Sequence, residues 1–230
     1  MTETTQIGWP GRLAALVLVF LGGFTVMVLE VYGAYLMRPF FGSSQEVWLA
    51  MIGMVMVALS GGYYLGGCLA DRFKRASFLT WLLYPAGIFI YFTKDISTPV
   101  LELQWMETAS VVMASTVVSA VVFLPPCFVL GMLAPYMIRL CAQSLEHVGS
   151  VAGKIYAAST VGSIAGVFVP VLLIPQTGAT NVPQLSNESM FHLAGGLTMG
   201  LGVLCLLMDR WLEAPYQESS EEMTKTWDES

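Results

Sequence analysis

Glu30 is the residue whose position most needs a chemical reason. It stands inside the apolar run Leu13–Met37, about 10 Å from the outer end at about 1.5 Å per residue. A carboxylate at that depth costs roughly 3 kcal/mol unless it is paired, protonated or hydrated. Two roles fit. Either it is a proton- or cation-binding group facing a cavity, or it fixes helix packing through a hydrogen bond to Tyr32, Tyr63, Tyr156, Ser159 or Thr160. Tyr64 completes this candidate intramembrane polar site.

A second group of charges closes the next apolar run, in Gly66-Gly67-Cys68-Leu69-Ala70-Asp71-Arg72-Phe73-Lys74-Arg75. Cations after a helix C-terminus complement its dipole and fix the orientation of a membrane span. Other chemistry is sparse. His147 and His192 have no clustered partners, so no metal site is assigned. Cys68, Cys127, Cys141 and Cys205 form no C-x-x-C pair and read as small hydrophobes. No serine, histidine and acid fall together on one face, and no glycine-rich nucleotide loop follows a strand. Catalytic residues and cofactors are therefore not expected.

The elements that must position Glu30 are membrane helices. The chain is 56% hydrophobic and 11% charged, where a soluble domain carries about 25% charged residues. A bilayer core of about 30 Å needs about 20 apolar helical residues. Six segments are read as spans, roughly 13–37, 47–70, 76–93, 109–133, 151–175 and 190–208, the third being the shortest. The apolar runs are continuous, without β-barrel alternation, so the expected class is an all-α polytopic bundle. Pro125-Pro126 is expected to kink the fourth span.

Basic residues give the direction. With residues 1–12 inside, the cytoplasmic segments hold Arg12, Arg72, Lys74, Arg75, Arg139, Lys154, Arg210 and Lys225, and the outer ones only Arg38 and Lys94. That bias puts both termini in the cytoplasm, as in a bacterial inner-membrane protein. The outer segment Lys94–Thr108 is expected to lie flat on the membrane, and a short amphipathic helix from Pro135 to His147 to rest on the cytoplasmic face. Residues 211–230 carry six acids against one base. This acidic tail reads as disordered unless a partner orders it, with Trp211, Tyr216 and Trp227 as anchors. No basic patch suggests nucleic acid.

Glycines recur at four-residue spacing: Gly62 with Gly66, Gly149 with Gly153, Gly162 with Gly166, and Gly196 with Gly200. Such pairs let helix backbones approach closely, within one chain or across a homodimer.

The loop from Gly67 to Arg75 resembles the motif that joins spans two and three in the major facilitator superfamily, which implies a gating lock for Asp71, Arg72 and Arg75. A wider resemblance covers roughly residues 30–178. It is carried by Pro39-Phe40-Phe41-Gly42-Ser43-Ser44, Leu59–Gly67, Pro126, Leu130-Gly131-Met132, Pro135, and Gly153–Ser163 through Ile174-Pro175. These blocks are similar to the membrane module of spermidine synthase-like proteins, which is commonly fused to a cytoplasmic aminopropyltransferase-like domain. The resemblance implies a bundle like half of a major facilitator fold. The chain departs from the pattern in having no such domain after the last span, Tyr35 where arginine is frequent, and Cys68 where arginine is common.

The expectation is a non-catalytic anchor or scaffold for a synthase-like subunit or a larger membrane complex. The rival is a half-carrier, made whole as a homodimer, that moves a small cationic or amine solute and so bears on polyamine transport.

Overall fold

The computed structural model describes residues 9–103, 109–142, 148–173 and 187–228, with side chains described in 9–103, 109–142, 148–169 and 188–209. The order is α1 (Trp9–Phe41), α2 (Gln45–Arg72), α3 (Ser77–Tyr91), α4 (Thr93–Leu101), α5 (Val111–Cys141), α6 (Val148–Leu173) and α7 (Asn187–Asp228). Every element among the described residues is helical. Five helices are long and apolar enough to cross a membrane: α1, α2, α5, Val148–Val169 of α6 and Glu188–Asp209 of α7. The chain is an all-α bundle with the character of an integral membrane protein.

The segment read as the third span is shorter than the others. α3 has 15 residues and rises about 22 Å, less than the roughly 30 Å of a bilayer core. At Phe92 the chain turns into α4. The turn from α1 to α2 needs a left-handed residue, and Gly42 supplies it at φ 76°. Its N–H bonds the Arg38 carbonyl at 2.9 Å and closes α1.

Three helix pairs organise the packing: α2 with α5, α1 with α6, and α3 with α7. Lesser contacts join α1 to α2, α5 and α7, and α5 to α3 and α6. If α1, α2 and α3 exchange places with α5, α6 and α7, this set of pairings maps onto itself. The glycines repeat the relation residue by residue. Gly62 and Gly66 of α2 lie against Phe128 and Met132 of α5, and Gly162 and Gly166 of α6 lie against Phe20 and Phe24 of α1. Gly131 meets Leu59 of α2, and Gly23 meets Ser159 of α6. Gly87 and Gly195 meet each other's backbones at the centre of the α3–α7 pair. The bundle is thus two three-helix units with matched seams. Their central side chains, including Tyr32, Phe123, Tyr136 and Phe191, are fully buried.

Two expectations, a helix start at Pro135 and a disordered tail, are corrected, and others are placed only in part. Gly149, Gly153, Gly196 and Gly200 meet no neighbour within 4 Å, so half of the four-residue glycine pairs lie on open faces. Pro135 starts no new helix. It lies inside α5, which runs unbroken to Cys141, because packing of Leu133, Ala134, Tyr136 and Met137 holds that turn in the core. Residues 143–147 of the expected amphipathic helix fall outside the described residues. The acidic tail is helical as far as Asp228, a continuation of α7 that sustains backbone hydrogen bonding beyond the apolar stretch. In the outer segment, Thr93–Leu101 is helical, whereas Trp105 and Met106 lie outside the described residues, as do Ile174 and Pro175.

Candidate functional site

The polar residues singled out in the spans divide into two places. Glu30 is half-buried on α1, and its carboxylate lies within electrostatic range of the buried Cys127 thiol on α5. Among the described residues no hydrogen bond or ion pair reaches that carboxylate. The packing hydrogen bond to Tyr32, Tyr63, Tyr156, Ser159 or Thr160 is therefore not formed. Tyr32 is fully buried, its hydroxyl has no partner among the described residues, and its ring lies 5.9 Å from that of Tyr35.

The other polar residues gather where α2 and α6 approach across α1 and α5. Tyr63 and Ser159 share the wall of a cavity of about 70 Å³ with Gly23, Gly131 and Ser163. That volume holds a few waters and no solute larger than an ion. Ser163 Oγ donates to the Gly23 carbonyl at 3.4 Å, and Thr160 Oγ1 donates to the Tyr156 carbonyl of its own helix at 2.9 Å. Tyr156 lies within electrostatic range of Tyr63.

Both helices bury little. α2 hides one stripe, Val47, Met51, Val55, Ala58, Gly62, Gly66 and Ala70. In the spanning part of α6 only Ile155, Gly162 and Gly166 are buried. The rest is open and largely apolar, but near one end of the two spans it carries Ser60, Tyr63 and Tyr64 on α2, and Tyr156 and Thr160 on α6. Tyr64 is 76% exposed. Hydroxyls facing hydrocarbon lack partners that a protein surface or water would supply.

The Gly67–Arg75 motif becomes a set of locks between helix ends. Asp71 at the end of α2 accepts a hydrogen bond from Arg139 Nε of α5 at 2.6 Å, with both side chains at least half exposed. The Tyr136 hydroxyl of α5 bonds the carbonyls of Phe73 and Arg75, the latter at 2.9 Å. Asp209 of α7 accepts from the backbone N–H of Ala76 at 2.7 Å and of Ser77 at 3.1 Å. A carboxylate set on the first amides of α3 satisfies groups that the helix leaves free and faces the positive end of its dipole. Arg72 lies 5.7 Å over the Phe73 ring, which stacks on Phe78 at 4.3 Å. Lys74 and Arg75 are exposed, and a side chain on Gly67 would meet open space.

Tyr136 and Asp209 carry no sequence motif. The one signal for Asp209 is an acid immediately after an apolar run, where the positive-inside pattern favours bases. At the opposite end of the α3–α7 pair, Lys94 and Glu188 form an exposed ion pair at 2.6 Å, which raises the Lys94 ammonium above its usual range. Tyr91 stacks on His192 at 4.1 Å beside it. Among the described residues no three of His, Cys, Asp and Glu gather.

Compared with protein-family models, curated proteins and solved structures, the chain matches none. Function rests on the geometry above.

Proposed function

We propose that the chain is a non-catalytic integral membrane module that holds a partner against its α2–α6 face. On this reading α3 serves as a sixth, short span, and both termini lie in the cytoplasm of a bacterial cell. The observation that carries the proposal is the exposed, tyrosine-bearing surface of Ser60, Tyr63, Tyr64, Tyr156 and Thr160, in the half of the two spans nearer the Gly67–Arg75 motif. Lipid chains leave the tyrosine hydroxyls unpaired, whereas a packed helix or a second subunit satisfies them. The partner class suggested by the sequence resemblance is a spermidine synthase-like subunit or a larger membrane complex, and the long α7 offers it a cytoplasmic handle.

Exposed aromatics are the side chains from which an interface draws most of its energy, with about 2 kcal/mol or more for a central one. The double variant Tyr64→Ala/Tyr156→Ala is expected to lower recovery of the native complex at least tenfold. Its melting temperature should stay near that of the parent, because both side chains point out of the bundle. A wild-type chain that purifies alone as a monomer from mild detergent would refute the module.

A second reading, a homodimeric half-carrier for a small cation or amine, is favoured by the matched three-helix units. Major facilitator carriers contain such three-plus-three inverted repeats in each half, and their sites lie between halves near the midplane. The cavity of about 70 Å³ is too small for a solute, so the site would form between two copies. Glu30, without a partner among the described residues, would bind the cation. Uptake of a labelled small amine into proteoliposomes should then fall at least tenfold in Glu30→Gln. Equal uptake by both proteins would remove this reading.

A further inference from the structure

An open apolar groove lies away from the α2–α6 face. It runs along the outer side of α3, encloses about 750 Å³, and is lined by Trp81, Tyr84, Pro85, Ile88, Phe89 and Phe92, with Ile96 of α4 and Leu206 of α7 at its edges. Trp81 is 81% exposed. From Trp81 to Phe92 the groove covers twelve residues, about 16 Å of rise and close to half of a bilayer core about 30 Å thick. It therefore has the depth of one leaflet.

What lies at its cytoplasmic end identifies the occupant. Arg72, Lys74 and Arg75 precede α3, and all three are exposed. Among the described residues none is in an ion pair, because the neighbouring acids are already engaged: Asp71 by Arg139, and Asp209 by the amides of Ala76 and Ser77. Aromatic contacts connect this positive cluster to the groove. Arg72 lies over Phe73, Phe73 stacks on Phe78, and Phe78 is one turn before Trp81 on α3. Three free cations at a membrane edge followed by an apolar channel one leaflet deep suit an amphiphile with an anionic head and a long chain. A protein partner would instead be expected to supply groups for a polar rim along the groove, and apart from Thr80 and the Tyr84 hydroxyl its walls are apolar.

We propose that the α3 groove and the Arg72–Arg75 cluster form a binding site for one anionic phospholipid of the cytoplasmic leaflet. The phosphate sits among Arg72, Lys74 and Arg75, and one acyl chain lies along Trp81, Tyr84, Ile88 and Phe92.

Trp81 provides the readout. The full chain and its Trp81→Phe variant are reconstituted in vesicles of phosphatidylcholine with increasing brominated phosphatidylglycerol, or with brominated phosphatidylcholine instead. The difference in fluorescence between the two proteins isolates Trp81. Bromine on phosphatidylglycerol is expected to quench Trp81 half-maximally at a mole fraction at least threefold lower than bromine on phosphatidylcholine. The triple variant Arg72→Gln/Lys74→Gln/Arg75→Gln should lose that preference and keep its quenching by phosphatidylcholine. Equal quenching by the two lipids in the parent protein means ordinary annular contact and overturns the proposal. Absence of quenching by either lipid means that a protein covers the groove, and overturns it too. A preference that survives in the triple variant rejects the assigned head-group residues.

Discussion

Gly162→Val is expected to weaken the bundle by about 3 kcal/mol, near the top of the range for overpacked sites, and Gly62→Val by a similar amount. At both positions a side chain would be driven into the backbone of the facing helix, into Phe20 for Gly162 and Phe128 for Gly62. A flexible neighbour can rotate away, but a backbone carbonyl inside a paired helix moves only if the whole pair separates. The α1–α6 and α2–α5 pairs are the two parallel seams of the bundle, and four-residue glycine spacing sets their close approach. For a chain of this size about 3 kcal/mol corresponds to a melting temperature lowered by roughly 6–12 °C, readable by thermal unfolding in detergent. Gly196→Ala and Gly200→Ala supply the opposite sign. Their surroundings are empty, so removing glycine from a helix interior should leave stability unchanged or raise it by up to about 1 kcal/mol. If all four substitutions had the same effect, the seams would not depend on glycine at these positions.

These glycines show how much of the fold is legible in sequence. The pattern Gly-x-x-x-Gly is the same at 62, 149, 162 and 196, but only two of the four pairs face another helix. Spacing states that a helix has a smooth stripe, and the pairing of helices, a long-range property, decides what lies against it. The apolar runs themselves were readable, because backbone groups in hydrocarbon must bond within the helix. The ends were less so. Pro135 reads locally as a helix start, but tertiary packing carries α5 through it to Cys141. The acidic tail reads as coil by composition, yet it extends a helix already nucleated in α7.

The candidate site divides in the same way. Glu30 announces itself as an acid in an apolar run, but its lack of a hydrogen bond among the described residues depends on where the hydroxyls of Tyr63, Ser159 and Thr160 go, and those serve the α2–α6 region and their own helices. Asp71 is visible as part of a motif. Its partner Arg139 lies 68 residues away, and nothing local couples the two. Tyr136 and Asp209 are further from recognition still, since both act on backbone groups, which have no sequence signature.

The last of these residues carries the second large effect. Asp209→Ala is expected to cost about 2–3 kcal/mol, the range for removal of hydrogen bonds to a charged group together with loss of a helix cap. The carboxylate bonds two amides at the start of α3, at 2.7 and 3.1 Å. No other side-chain acceptor among the described residues bonds those amides, and a 15-residue helix has little length over which to recover the loss. Because α3 pairs chiefly with α7, the same carboxylate fixes the register of that pair at the start of α3. The Lys94–Glu188 pair at the other end is exposed and contributes less. The loss should therefore appear as local opening of the α2–α3 connection. Trypsin cleavage after Lys74 or Arg75 is expected to accelerate by about thirtyfold to a hundredfold in Asp209→Ala, since each 1.4 kcal/mol of opening energy is about tenfold in the open population. Asp209→Asn keeps one acceptor oxygen and should recover about half of the protection. Arg139→Ala removes only an exposed ion pair, worth less than about 1 kcal/mol, and should change cleavage by no more than about fivefold. Equal cleavage of Asp209→Ala and the parent would mean that α3 is held by its apolar face alone, with Leu79, Leu83 and Ile90 as the anchoring residues.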